Sequence, residues 1–375
     1  MKYLVNIARF IVGIAFIFSG IVKTIDPIGF SYKLEEYFSP SVLNVPFLEP
    51  FSLPIAIFIV IFEIILGVLL LLGIFKKFTV YNLLILILFF TFLTFYAAFY
   101  DKVKNCGCYG DFIKLKPWET FSKDVLLTIL IGIILIGIEH INPIHKNIKE
   151  LKSFLLFSII VSVYIAYQGI SHLPIVDYRP YAEGKSLIEG RKSAEELGLK
   201  PPKMVTVYTY INTETKEEIV LDSDSLMNTT IWEDPKWELD SLKTKSNVIV
   251  EDGYEPPIPV DFSISCENED KTEEILNYDK VVIITVIHPK KIKLEELAKI
   301  RKLVNNLTIK KIKYKIVSTE NKLANLNICI LDEKVIKAIN RSEVGVMLLK
   351  KGIVRKKYHY NDFPSIKLIQ DQFNK

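Results

Sequence analysis

Apolar positions follow two regimes along this chain. Up to about Leu173 they form long unbroken runs of Ile, Leu, Phe and Val; beyond it, short apolar runs alternate with Lys, Glu and Asp. A helix that crosses a bilayer needs about 20 mostly apolar residues. Tyr3–Val22, Phe51–Gly73 and Phe78–Tyr100 reach that length; Phe78–Tyr100 carries no charge and Phe51–Gly73 only Glu63. Ser153–Ile170 is charge-free, and Val125–Ile138 approaches spanning length when extended back to Phe121 through Lys123 and Asp124. The pattern predicts an α-helical membrane bundle of four to five transmembrane helices over residues 1–173. Tyr3–Val22 has a basic start, but no Ala-x-Ala-like site follows it, so it reads as a retained span.

The second half changes period. Residues 174–255 read as a polar connector with a helical piece at Ser186–Leu197. Thr206–Val220 alternates and turns at 212–215, which predicts a β-hairpin there. From 256 to 375 strands and helices alternate. Val281–Ile287 is a β-branched buried strand and Leu294–Val304 has helical spacing. Lys313–Ser318 and Ile328–Leu331 are short strands, followed by a helix at Glu333–Asn340. Val344–Lys350 and Ile353–Tyr360 then close as a hairpin around Gly352. A soluble α/β domain is expected.

Composition narrows the classes. A net charge of +4 over 375 residues leaves no nucleic-acid footprint, and four cysteines are too few for a disulfide scaffold. Two of them, Cys106 and Cys108, flank a glycine in the loop after the third span. A Cys-Gly-Cys ring departs from relaxed disulfide geometry and is easier to reduce than a structural bridge. Nearby lysines favour the reactive thiolate. Three readings stay open: a cycling dithiol, a two-thiolate site for a soft ion such as Cu(I), and a static staple. Cys329 reads as a small core residue and Cys266 as an inert thiol in a polar loop.

Glu63 lies mid-span, where a carboxylate normally has a partner or a function. With the first two spans antiparallel, Arg9 is the expected partner, in a buried Arg9–Glu63 ion pair. The connections holding Lys76–Lys77 and Lys146, Lys149 and Lys152 suit the cytoplasm. The opposite loops also carry Lys102, Lys104, Lys114 and Lys116, so charge alone leaves the orientation open. With five spans, the cysteine loop and the C-terminal domain share one side of the inner membrane, read as the periplasmic one.

Several of these residues carry a family resemblance. Arg9, Gly13, Ser19-Gly20, Lys23 and Asp26-Pro27, then Glu63 with Leu66-Gly67, resemble the opening spans of DoxX-like membrane proteins. Asn105-Cys106-Gly107-Cys108-Tyr109-Gly110-Asp111, with Pro117-Trp118 and Lys123-Asp124, resembles the methylamine-utilisation MauE branch of that superfamily, over roughly residues 1–140. The resemblance implies a redox-associated membrane protein linked to maturation of methylamine dehydrogenase, a disulfide-rich periplasmic enzyme. The strand–helix–strand and hairpin order of 256–375 resembles a thioredoxin-like domain. Its redox motif position reads His288-Pro289-Lys290-Lys291, and the position of its cis-proline reads Ser342-Glu343-Val344; neither carries the expected residue.

The expected function is thiol–disulfide exchange through Cys106 and Cys108 with an extracytoplasmic client protein, in a lipid bilayer. The alternatives are a non-enzymatic scaffold with a structural disulfide, and soft-metal handling. No cofactor is evident in the sequence; a quinone in the bundle is compatible as electron acceptor, but no residue pattern calls for one.

Overall fold

A computed structural model describes residues 1–375 apart from 101, 104–106, 114, 242, 252, 260–261, 321–322, 324–325 and 375, and apart from the side chains of 245–250. The first part is a helical bundle of α1 (Lys2–Ile25), α2 (Pro27–Phe38), α3 (Ser52–Leu72), α4 (Lys76–Tyr100), α5 (Pro117–Ile136) and α6 (Ile148–Ser171). Four helices are long and apolar enough to cross a membrane: Lys2–Ile25, Pro46–Leu72, Lys76–Tyr100 and Ile148–Ser171. The remaining long helix, α5, begins with Glu119, Lys123 and Asp124 and packs against α4 and α1. Exposed Phe10, Phe92, Phe157 and Tyr164 leave the outside of the bundle apolar, as a bilayer demands.

Small residues set how α1 meets α3. A Cβ on Gly67 would lie 2.9 Å from the Gly13 carbonyl, and one on Gly13 would lie 2.5 Å from a methyl of Leu71. Backbones can approach this closely only without side chains at the crossing. The seam pairs the start of α1 with the end of α3, antiparallel, and this register decides which polar side chains meet. Helix α3 ends at Gly73, whose φ of 72° is the left-handed conformation that glycine reaches without strain.

Residues 185–263 form a compact unit of their own. It contains α7 (Leu187–Gly190), β1 (Lys203–Asn212), β2 (Glu218–Asp222), α8 (Ser223–Met227), β3 (Trp237–Leu239) and β4 (Lys245–Glu251). The expected hairpin is β1–β2, antiparallel from Val207 opposite Asp222 to Ile211 opposite Glu218. Its turn is built on the Asn212 side chain, which accepts from the backbone N–H groups of Glu214 and Thr215. β1 also pairs with β3 and β4, so the stretch read as a connector contains a four-stranded sheet.

The chain then returns to the first unit, which comprises residues 1–184 and 264–375. Its sheet contains β5 (Ser265–Cys266), β6 (Glu269–Asp270), β7 (Val281–Val286), β8 (Lys313–Ser318), β9 (Ile328–Ile330), β10 (Val344–Lys350) and β11 (Ile353–His359). The helices between and after the strands are α9 (Thr272–Leu276), α10 (Leu294–Ile309), α11 (Glu333–Ile339) and α12 (Ile366–Asn374). The spatial order is β11-β10-β7-β8-β9-β5-β6. β7, β8 and β9 run parallel, whereas β10 lies antiparallel to β7. β7 is buried at all six positions, as a central strand covered on both faces must be. Val282, Ile284 and Val286 share one core with Ile300, Leu303 and Leu307 of α10 and with Ile369 and Phe373 of α12.

Cys266 and Cys329 face each other across the β5–β9 pairing and are joined by a disulfide. Cys329 is buried in its strand as expected, but the bridge corrects the reading of Cys266 as an inert thiol. The two lie 63 residues apart, and only the sheet order makes them neighbours.

Candidate functional site

The buried charges of the bundle pair differently from the sequence expectation. Arg9 does not meet Glu63. Its guanidinium donates to the carbonyls of Leu70 (2.7 Å) and Leu71 (2.6 Å) and to that of Asn142 (3.0 Å). It thus caps the last turn of α3, where carbonyl groups lack helical partners and the helix end is negative. The reason is register: the Gly13–Gly67 crossing places Arg9 level with Leu70, two turns or about 10 Å beyond Glu63 along α3.

Glu63 is instead paired with Lys23, Nζ to Oε2 2.5 Å, with side chains 1% and 3% exposed. The Lys23 ammonium also sits over the rings of Phe30 and Phe90, at 5.1 and 4.7 Å. Ser19, one turn before Lys23 on the same face of α1, stands between two acceptors. Its Oγ is 3.4 Å from Glu63 Oε1 and 3.1 Å from the carbonyl oxygen of Cys108. With a single hydroxyl proton, Ser19 donates to one of them at a time.

Cys108 therefore sits at the mouth of this polar interior. It lines one narrow pocket together with Ser19, Lys23, Glu63, Tyr109, Lys123 and Asp124; Phe16, Ile87, Phe90 and Leu127 make its apolar wall. Lys123 of α5 bonds Asp124 (3.1 Å), lies 4.7 Å from the Tyr109 ring and lines the same pocket as Cys108. Asp124 in turn accepts from Thr94 of α4. The loop turns at Gly107 and Gly110, both at positive φ, with the Gly110 N–H donating to the Gly107 carbonyl. Cys106 lies outside the described residues.

The C-terminal sheet meets the bundle on this same side. Arg341, just after α11, donates to Asp26 at the α1–α2 junction (2.8 Å) and to Asp111 of the cysteine loop (3.1 Å). Its Nη1 also bonds the Lys337 carbonyl (2.6 Å), and it stacks over Tyr32 of α2. Burial alone would raise the Asp26 carboxyl pKa, but the charges of Arg341 and Arg179 and the hydrogen bonds from Arg341 and the Gly29 N–H outweigh it and lower it. Burial would likewise lower Arg341, and the two carboxylates hold it above the usual value. Lys337–Glu35 (3.4 Å) and His172–Asp362 (2.8 Å) tie the two parts at further points.

At the sheet's own candidate position, His288 Nδ1 lies 3.1 Å from both carboxylate oxygens of Glu343, whose Oε1 also accepts from the His288 N–H (2.6 Å). Among the described residues no cluster of three His, Cys, Asp or Glu side chains is arranged to hold a metal ion.

The sequence singled out Cys106, Cys108, Arg9 and Glu63; it noted Ser19 and Lys23 as parts of a family resemblance, and Lys123 and Asp124 there and as charges inside a candidate span. Two signals pointed further. Ser19 and Lys23 are four apart and share a helix face, and Lys123-Asp124 are charges set inside an otherwise apolar helix. No curated protein and no solved structure matches the chain. Residues 1–137, the segment that holds every one of these bundle groups, match the family model of the methylamine utilisation protein MauE.

Proposed function

We infer that this chain is a membrane thiol–disulfide exchange protein whose reacting groups are Cys106 and Cys108, acting in methylamine utilisation on an extracytoplasmic client. The observation that carries this reading is the setting of Cys108: it lines one narrow pocket with Glu63, Asp124, Lys23 and Lys123, the last two being cations of the kind that favour a thiolate. A structural staple has no need of such surroundings. Residues 1–137 supply the family link.

The exchange balances within the two partners. The Cys108 thiolate attacks one sulfur of a client disulfide, that S–S bond breaks, and the other client sulfur leaves as a thiolate. Cys106 then attacks the mixed disulfide and releases the second client sulfur. Two electrons pass from the loop pair to the client and two protons follow; the reverse sequence oxidises a client dithiol.

The C-terminal sheet fits a thioredoxin-like domain without its own redox motif. The order β8-β7-β10-β11, with a parallel β7–α10–β8 crossover and an antiparallel closing hairpin, supports that reading. His288 and Glu343 occupy the places of the missing cysteine and proline, so the domain holds or presents the client instead of reacting with it. The Cys266–Cys329 bridge suits an oxidising compartment and so supports the reading of the sheet and the cysteine loop as periplasmic.

The test is mass-tag labelling of thiols in intact cells, combined with a search for mixed disulfides in Cys106→Ser and Cys108→Ser variants. A trapped client in one of the two is expected. A pair that stays oxidised under every condition, with both variants functional, would leave the scaffold reading in its place.

A further inference from the structure

We propose that Glu63 is the internal proton acceptor for Cys108, and that Lys23 is the counter-ion that lets it act as one. This deepens the exchange reading above and rests on it. The step is a proton transfer: the Cys108 S–H bond breaks, an O–H bond forms on Glu63, and no electron changes hands.

Charge balance in a site whose inner ion pair is buried carries the inference. The pocket brings together two cations, Lys23 and Lys123, and two anions, Glu63 and Asp124. With Cys108 as a thiol the set is neutral. Expelling the thiol proton to water would leave a net negative charge in a site whose central pair is 1% and 3% exposed, a costly change in a low dielectric. Moving the proton to Glu63 keeps the set neutral: Lys23, its carboxylate partner discharged, becomes the counter-ion of the new thiolate together with Lys123. Ser19, between Glu63 and the Cys108 backbone, holds the loop against the acceptor.

A buried ion pair is also weak evidence of a purely structural role. Replacing such a pair with apolar residues is often neutral or stabilising, and ionisable residues inside membrane helices are usually retained for function. Among the described residues the titratable groups that line the site are Lys23 from α1, Glu63 from α3, Lys123 and Asp124 from α5, and Cys108 and Tyr109 from the loop. Helix α4 contributes Ile87 and Phe90 to the wall and no charge.

The experiment is the pH profile of Cys108 alkylation by N-ethylmaleimide, on the full chain in native membranes, in a Cys106→Ser background after mild reduction. An ordinary thiol titrating against water gains about tenfold in rate per pH unit below its pKa of about 8.5. Internal transfer to Glu63 keeps one proton in the site, so the expected profile is flat, within about twofold from about pH 6 to about pH 8. Glu63→Gln removes the acceptor, and the tenfold slope is expected to return; Glu63→Asp is expected to keep the flat profile. A tenfold slope in the parent protein overturns the proposal, as does a Glu63→Gln profile as flat as the parent's. The Lys23→Met, Glu63→Gln double variant removes both charges of the buried pair at once and is expected to show the same tenfold slope; a flat profile there overturns the proposal if Glu63→Gln alone does not accumulate. Failure to trap a client disulfide would sink the exchange reading but leave this profile unchanged, so the two failures are distinguishable.

Discussion

Removing the Arg341 side chain tests how the C-terminal sheet is held against the cysteine loop. In Arg341→Met the apolar stem remains, but the guanidinium leaves Asp26 and Asp111 behind. Breaking a buried ion pair by deleting one partner costs about 3–5 kcal/mol, because the other charge stays buried and unpaired. Asp26 is 21% exposed and regains some water, which points to the lower end of that range. Asp111 is 39% exposed and adds no more than about 1 kcal/mol. Contacts in one network do not add fully, so a net loss of about 3 kcal/mol is expected. At about 1.4 kcal/mol per factor of ten, amides of the Gly107–Ile113 turn and of the first turn of α2 should exchange hydrogen about 10²-fold faster. The assay is hydrogen exchange by mass spectrometry on detergent-solubilised full chain, parent against variant.

The same contact has a pH signature. Asp26 has a folded pKa below its unfolded value, so its contribution is fully present above the ordinary carboxylate value of about 3.9. That contribution is lost as pH falls through the lowered folded pKa. Acid should therefore loosen the parent in that window and change Arg341→Met much less. Exchange that differs by less than about threefold between parent and variant at neutral pH would refute the reasoning.

Two further predictions follow from the bundle and the sheet. In double-mutant cycles read by thermal aggregation in detergent, Lys23→Met and Glu63→Gln should couple by more than about 1 kcal/mol, whereas Arg9→Met and Glu63→Gln should add within about 0.5 kcal/mol; a strong Arg9–Glu63 coupling would reinstate the pairing that the register forbids. Opening the 63-residue loop closed by Cys266–Cys329, with Cys266→Ser and Cys329→Ser together, should cost about 4 kcal/mol by chain entropy and make 264–331 the first part of the sheet to be cleaved in limited proteolysis; an unchanged cleavage pattern would show that the bridge adds no stability.

What the sequence determined was everything that depends on local burial. Runs of about 20 apolar residues located α1, α3, α4 and α6, because lipid leaves a chain no option but to satisfy its backbone internally. Period-two and period-3.6 patterns located β7, α10, β8, β9, α11, β10 and β11 to within a few residues. Cys108 was legible as a candidate because two thiols flank one glycine. The tertiary structure decided the partnerships. Lys23 and not Arg9 meets Glu63, because close packing at Gly13 and Gly67 sets the α1–α3 register, and a shift of one or two turns exchanges one partner for another. Cys266 reaches Cys329 through sheet order, and Arg341 reaches Asp26 and Asp111 across more than two hundred positions of sequence. Such contacts depend on how separate elements are rotated and stacked. Hydropathy along a single segment carries no record of that, so only the folded chain shows which charges share a pocket with Cys108.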